Sequence, residues 1–211
     1  MPTPDSTDLR HQLAAIGARF YQRGWMLGTA GNLSARLPDG TFWVTASGVD
    51  KGQMTSTDFL RMTVAGEVVE APAGRRPSAE TSLHQSIYGW SDTHHACLHV
   101  HALAANLLTR MYPGDIPLPP IEMLKGLGVW DEEPRVVAPT FTNHAHVPDI
   151  GAAVSARFAD NPPQVPLFVI RDHGITVWGQ DLREAANRVE CAAYILDYAV
   201  QSHQLGTVWW G

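Results

Sequence analysis

His99-Val100-His101 carries the sharpest chemical signal in the chain. Side chains alternate faces along an extended strand, so both imidazoles project to one side, close enough to share a metal ion. Two polar residues at a strand end are the plainer alternative, and a shared ion needs more ligands. His173, within Arg171-Asp172-His173-Gly174, is the best third candidate, because a strand meets a turn there and glycine lets the backbone approach closely. Three histidines leave a coordination position for water or substrate, as in catalytic rather than structural zinc sites, although imidazole also suits iron and manganese. With only Cys97 and Cys191 present, a four-cysteine site is excluded, and Cys97 is expected in the core rather than on the metal.

Rival groups are weaker. His144-Ala145-His146 repeats the spacing but sits before Val147-Pro148 in a loop, which fixes side-chain direction poorly. His94 and His95 point apart and read as a solvated loop, while His84, His203 and His11 read as surface or satisfied packing residues. Two carboxylates could move protons. Glu80 lies in the first turn of a helix opened by Ser78, where stabilising the helix dipole would suffice to explain it. Glu122, between Ile121 and Met123 after a Pro-rich loop, would gain acid/base character from partial burial, or would simply be solvated on a short helix. Asp131-Glu132-Glu133 reads as a solvated turn. Thr29-Ala30-Gly31-Asn32 and Ser47-Gly48-Val49-Asp50-Lys51 are small polar turns, and Ser78 begins a helix. Backbone amides in such places can hold phosphate, although each is also an ordinary turn former or cap.

The elements that must position these residues follow from periodicity. Leu9, Leu13, Ile16, Phe20 and Tyr21 recur at helical spacing, predicting a first helix capped by Thr7 and ending before Gly24, after a flexible leader over 1–7. Strands are predicted at Phe42–Ala46, Leu60–Val64 and Glu67–Glu70, the last two joined by an Ala65-Gly66 hairpin turn. A helix over Ala79–Tyr88 precedes a buried strand over Ala96–His101 and a helix over Ala102–Leu108. Tyr112 to Pro120 reads as an ordered loop, followed by strands at Arg135–Val137, Pro166–Ile170 and Ile175–Val177 and by helices near Asp149–Phe158 and Leu182–Gln204. Hairpin signals argue for an α/β domain with a mixed, partly antiparallel sheet.

Composition sets outer bounds. The 211 residues are 45% hydrophobic and 17% charged, a globular balance in a chain long enough to bury about 70% of its unfolded surface as one domain. A formal charge of −6 gives no long-range attraction for nucleic acid or an anionic membrane, so neither is expected as a partner. Two cysteines suit a reducing compartment, and neither a signal peptide nor a stretch of ~20 apolar residues is apparent, so a cytoplasmic location is expected.

Thr29-Ala30-Gly31-Asn32-Leu33-Ser34-Ala35-Arg36, Ala46-Ser47-Gly48, Pro77-Ser78-Ala79-Glu80, His99-Val100-His101 and Arg171-Asp172-His173-Gly174 together resemble, in order and over nearly the whole chain, the class II aldolase family. The resemblance implies a single three-layer domain over 1–211, with a central antiparallel-rich sheet between helices. It implies one zinc ion per subunit on His99, His101 and His173, a phosphate pocket lined by Thr29, Asn32, Ser47, Gly48 and Ser78, and a homotetramer with sites near subunit interfaces. Glu122-Met123-Leu124-Lys125-Gly126 and Val177-Trp178-Gly179 look like the family's dehydratase branch. There the glutamate matching Glu122 is the acid/base, whereas in the aldolases the one matching Glu80 serves near the metal. Both are present, which leaves the division of labour open, and the aldolases' C-terminal tyrosines have no secure counterpart. The implied reaction is zinc-dependent dehydration of 5-methylthioribulose 1-phosphate to the 2,3-diketo-5-methylthiopentyl 1-phosphate of methionine salvage, with Glu122 transferring protons. A sugar-phosphate aldolase or epimerase is the nearest alternative. A non-catalytic adducin-like module is a second, and retention of the three histidines argues against it.

Overall fold

The computed structural model describes residues 6–207 and Trp209, so part of the expected leader over 1–7, and Trp210, lie outside the described residues. The chain runs α1 (Ser6–Gln22), β1 (Asn32–Arg36), β2 (Phe42–Thr45), β3 (Phe59–Met62), β4 (Val68–Glu70), α2 (Thr81–Trp90), β5 (Ala96–Val100) and α3 (Leu103–Met111). It continues through β6 (Ile116–Pro117), a short 3₁₀ helix (Glu122–Leu127), β7 (Val137–Ala138), β8 (Thr140–Phe141), α4 (Val147–Asp160), β9 (Leu167–Ile170), β10 (Gly174–Gly179) and α5 (Leu182–Gln204). Eight strands form one sheet in the order β4-β3-β2-β1-β5-β10-β9-β8. Its pairings are antiparallel except β8 with β9. Among the described residues no helix is long and apolar enough to cross a membrane.

Register decides which face each residue serves. Asn32 opposes His99, which opposes Thr176, and Ser34 opposes Cys97, which opposes Trp178. These rows share one face of the sheet, under α2 and α4. Trp178 meets Trp90 of α2 and Phe158 of α4 there, with ring centroids 6.1 and 5.8 Å apart. Such aromatic pairs contribute about 0.5–1.5 kcal/mol each beyond the area they bury. Leu33, Leu98 and Val177 alternate to the other face, beneath α1 and α5, and all are fully buried. Both faces are covered, so β5 is buried along its whole length and reads as an apolar run.

Several boundaries differ from the sequence reading. Helix α1 begins at Ser6, so Thr7 is inside it rather than capping it. Asn32–Arg36, of which the sequence reading places only Asn32, in a turn, is a strand, because pairing with β2 and β5 on both sides outweighs the low strand propensity of Asn-Leu-Ser-Ala-Arg. Helix α2 starts at Thr81 rather than Ala79; Ser78 instead makes a turn, its carbonyl accepting from Thr81 N–H and its hydroxyl from Glu80 N–H. His101 lies just past β5, its N–H donating to the Trp25 carbonyl at 2.8 Å rather than to a strand neighbour.

Glycine matters most at Gly31, where φ is +76° and an added Cβ would lie 2.7 Å from the His99 carbonyl oxygen. Gly31→Ala is expected to destabilise the fold by about 2 kcal/mol or more, from left-handed strain plus the clash with β5. Urea unfolding checks it: the midpoint should fall with the slope unchanged.

Candidate functional site

Three separate parts of the chain deliver four ligating side chains to one point. His99 comes from β5, His101 from the residue after it, His173 from the turn between β9 and β10, and Glu80 from the residue before α2. One donor atom from each lies within 4.8 Å of all the others. His99 Nε2 and His101 Nε2 are 3.1 Å apart. Glu80 Oε1 accepts from His173 Nε2 at 2.9 Å and lies 3.8 and 4.0 Å from the Nε2 atoms of His101 and His99. The imidazoles stand edge-on, with centroids 4.6 to 5.0 Å apart.

Surrounding contacts hold these groups in place. The side chain of Thr176, opposite His99 in the register, meets His99 Nδ1 at 3.0 Å, which leaves Nε2 turned towards the cluster. The His173 turn is strapped to the end of α3. Arg171 donates to the carbonyls of Thr109 and Tyr112 at 2.7 and 3.1 Å, and Asp172, in the left-handed region at φ 52°, pairs with Arg110.

Burial pushes the His99 pKa well below its ordinary value, so its ring is neutral and offers a lone pair. Burial also opposes ionisation of Glu80. The close N–H groups of His101 and His173, the latter hydrogen-bonded to it, and the field of His99 and His173 outweigh it, holding the carboxyl far below the usual carboxylate range. Two nitrogens facing each other at 3.1 Å beside an ionised carboxylate form a donor set that fits a divalent metal.

Beside the cluster lies a cleft of about 400 Å³, lined by Thr29, Asn32, Ser47, Gly48 and Ser78 and by Glu80 itself. Val147, the first residue of α4, edges it, and Ser78 and Ala79 bring the chain into α2. Turn amides and helix starts of this kind favour an anion. Lys51 is the one cationic residue of this lining. It is buried, and Nζ donates to the carbonyls of Thr29 and Val49 at 2.9 Å each, tying the two turns together. Burial lowers its pKa, while nearby carboxylates, Glu80 foremost, pull it back up.

Other expected residues lie elsewhere. Glu122, left open between partial burial and solvation on a short helix, takes the second: its side chain is 81% exposed and paired with Lys125 at 2.8 Å, because the short 3₁₀ helix turns Leu124 and Leu127 inward instead. It belongs neither to the cluster nor to the cleft lining. His144 and His146 are exposed, and His146 pairs with Asp149. His94 is half-buried between the Trp90 and Trp178 rings rather than free in a loop. Cys97 is in the core. His84 is fully buried, bridging Ser34 Oγ at 2.6 Å and Asn32 Oδ1 at 2.5 Å. Lys51 enters the sequence reading only as the end of a turn whose amides can hold phosphate, with no role for its ammonium group; its place at the close of a Ser-Gly turn is the available signal.

Known proteins resemble this chain throughout. The sequence pattern of the class II aldolase and adducin N-terminal domain matches residues 11–200. A methylthioribulose-1-phosphate dehydratase of Microcystis aeruginosa is 49% identical over 201 residues, covering 94% of this chain and 98% of that protein. Another, from Leptospira biflexa, is 41% identical over 196 residues, covering 88% and 93%. Among solved structures, an L-fuculose 1-phosphate aldolase superposes with a TM-score of 0.79 at 23% identity, covering 99% of this chain and 92% of that one. The L-fuculose-1-phosphate aldolase of Thermus thermophilus gives 0.73 at 21% identity, covering 92% and 94%. At these identities the structures establish the fold alone.

Burial lowers the His84 pKa from 6.5 to about 4, so between those values the unfolded chain binds more protons than the native one. The stability this group supplies is complete above pH 6.5 and is lost as pH falls towards 4, to a total of about 3 kcal/mol. Urea unfolding from pH 7.5 to 4.5 should show this acid loss in the wild type and a smaller one in His84→Gln, which cannot titrate.

Proposed function

The chain belongs to the class II aldolase and adducin N-terminal domain family, and we propose that it is a metal-dependent dehydratase of 5-methylthioribulose 1-phosphate in methionine salvage. One observation carries the reading: Glu80 belongs both to the metal-ligand cluster and to the wall of the anion cleft. A short sugar phosphate anchored in that cleft therefore brings its carbonyl end to the cluster. The relatives at 49% and 41% identity carry the dehydratase name over nearly their whole length.

His99, His101 and His173 would hold the metal, with Glu80 beside them. Zinc is the ion best suited to this donor set, and when bound it supplies Lewis-acid polarisation of the substrate's oxygens. The chain's own residues do the rest. Amides and hydroxyls of Thr29, Ser47, Gly48 and Ser78 receive the phosphate, and Lys51 supplies the positive charge that a dianion entering beside Glu80 requires. In the reaction a base takes the C3 proton, the C4 hydroxyl leaves as water after protonation, and the enol tautomerises to the 2,3-diketone. Within one chain Glu80 is the carboxylate at the reacting end. Glu122 would take part only from a position that the single chain does not provide, which links its role to the homotetramer that the family resemblance implies. The reading places the enzyme in the cytoplasm, with a small sugar phosphate as its partner and neither nucleic acid nor membrane.

Metal-replete protein incubated with 5-methylthioribulose 1-phosphate should yield a product lighter by one water on mass spectrometry, and chelator treatment should abolish it. Cleavage into two carbon fragments would indicate an aldolase, isomerisation without loss of mass an epimerase, and zinc content near zero an adducin-like module. Replacing the proton-transfer carboxylate by its amide should lower kcat by about 10²–10⁴. A loss confined to Glu80→Gln with zinc content intact makes Glu80 that group. A loss in Glu122→Gln with zinc content intact assigns the step to Glu122.

A further inference from the structure

Behind the metal cluster runs a line of buried polar side chains that the dehydration chemistry does not use. Glu80, His84 and Tyr88 are spaced four apart and share one face of the turn leading into α2 and of α2 itself, while Asn32 and Ser34 are spaced two apart on one face of β1. The two periodicities mesh into a continuous series of contacts. Asn32 Nδ2 is 3.1 Å from Glu80 Oε2, and Asn32 Oδ1 is 2.5 Å from His84 Nε2. His84 Nδ1 is 2.6 Å from Ser34 Oγ, which is 2.6 Å from the Tyr88 hydroxyl. Asn32, Ser34, His84 and Tyr88 are each at most 1% exposed.

We propose that Tyr88, Ser34, His84 and Asn32 form a one-way hydrogen-bond chain that fixes the rotation of the Glu80 carboxylate, so that His84 is a positioning residue for the metal site. The direction follows from the acid end. An ionised carboxylate only accepts, so Asn32 must present its amide N–H groups to Glu80 and its carbonyl oxygen to His84. His84 must then carry its proton on Nε2. Burial keeps the ring neutral, so Nδ1 is a bare acceptor and takes the Ser34 proton. That proton has a second acceptor in the Cys97 carbonyl, but at 3.2 Å this is the longer contact. Ser34, its proton committed, accepts from Tyr88 O–H. Apart from that second acceptor each donor has one acceptor in sequence, and reversing a member places two acceptors face to face in the core, where the unpaired group is costly.

The consequence reaches Glu80. With Oε2 held by Asn32, Oε1 is the oxygen turned to the three histidines. Without a donor at His84 Nε2 the Asn32 carbonyl oxygen is left buried without its partner, and the side chain is held from one end only, which loosens its grip on Oε2. The chain also commits the Asn32 carbonyl oxygen to His84 and one of its two amide hydrogens to Glu80, so the second amide hydrogen is what that side chain has left for the cleft.

The proposal rests on Glu80 acting with the metal ligands and is independent of which substrate is used. In the zinc-loaded wild type at pH 7, nitrogen-15 NMR of the imidazoles should show His84 as the Nε2–H tautomer. The Nδ1–H tautomer or an imidazolium would overturn the chain without any variant. Zinc affinity, measured by competition with a chromophoric chelator on protein whose circular dichroism matches wild type, should fall about tenfold to a hundredfold in His84→Leu. It should return close to wild type in His84→Gln, whose amide N–H can occupy the Nε2 position. Equal losses in both variants, or none in His84→Leu, would overturn it. Glu80→Gln separates the two levels. If it binds zinc as wild type does, Glu80 has no part in the metal site and the chain has nothing to position. If it weakens zinc while His84→Leu does not, the metal-site reading stands and the chain falls.

Discussion

The pairing register of β1, β5 and β10 is the constraint on which the rest depends. It sets Asn32, His99 and Thr176 side by side on the face under α2, and sets the apolar residues between them on the face under α5. A slip of one residue would turn His99 into the opposite core and bring Leu98 or Val100 in its place, because strand side chains alternate. The slip is opposed on both faces at once, since each is buried against helices and each row is filled: Trp178 and Phe158 on one side, Leu98 and Val177 on the other. Hydrophobic packing therefore specifies a polar site. The same register brings Ser34 beneath Tyr88 and Asn32 beneath Glu80, so that helix and strand meet through hydrogen bonds as well as apolar contact.

Charge is economical in this interior. Glu80 is a largely buried carboxylate whose ionisation is held by imidazole donors on one oxygen and an amide on the other. Lys51, also buried, spends two of its protons on backbone carbonyls and lies close enough for its field and that of Glu80 to act on each other. A phosphate in the cleft would introduce further negative charge beside Glu80, which Lys51 with the turn amides would offset. Keeping His84 neutral avoids a third buried charge behind the cluster.

The fold is shared with L-fuculose 1-phosphate aldolases at 21–23% identity, whereas the dehydratases at 38–49% identity share far more of the sequence. That contrast is what physical chemistry expects. In this chain a strand end and two turns deliver the three histidines and the carboxylate from the sheet's frame, and such a frame persists while the rest of the sequence diverges.

The histidine pair at 99 and 101, the glycine-bounded turns and the helix and strand periods were legible in the chain, because each is a local pattern with a local cause. Asn32–Arg36 was not legible as a strand, since its residues have little strand preference and two neighbours far away in sequence impose the conformation. Lys51 and His84 were visible as residues but not as parts of the site, because what makes them so is burial against partners 22 and 52 positions away. The sequence by itself determined most of the element types, the three histidines and turns of a kind that can hold an anion. Only the tertiary structure decided that Glu80 joins the histidines while Glu122 stands in solvent, because a carboxylate's role is set by the burial, donors and fields around it, and those come from chain segments that meet only on folding.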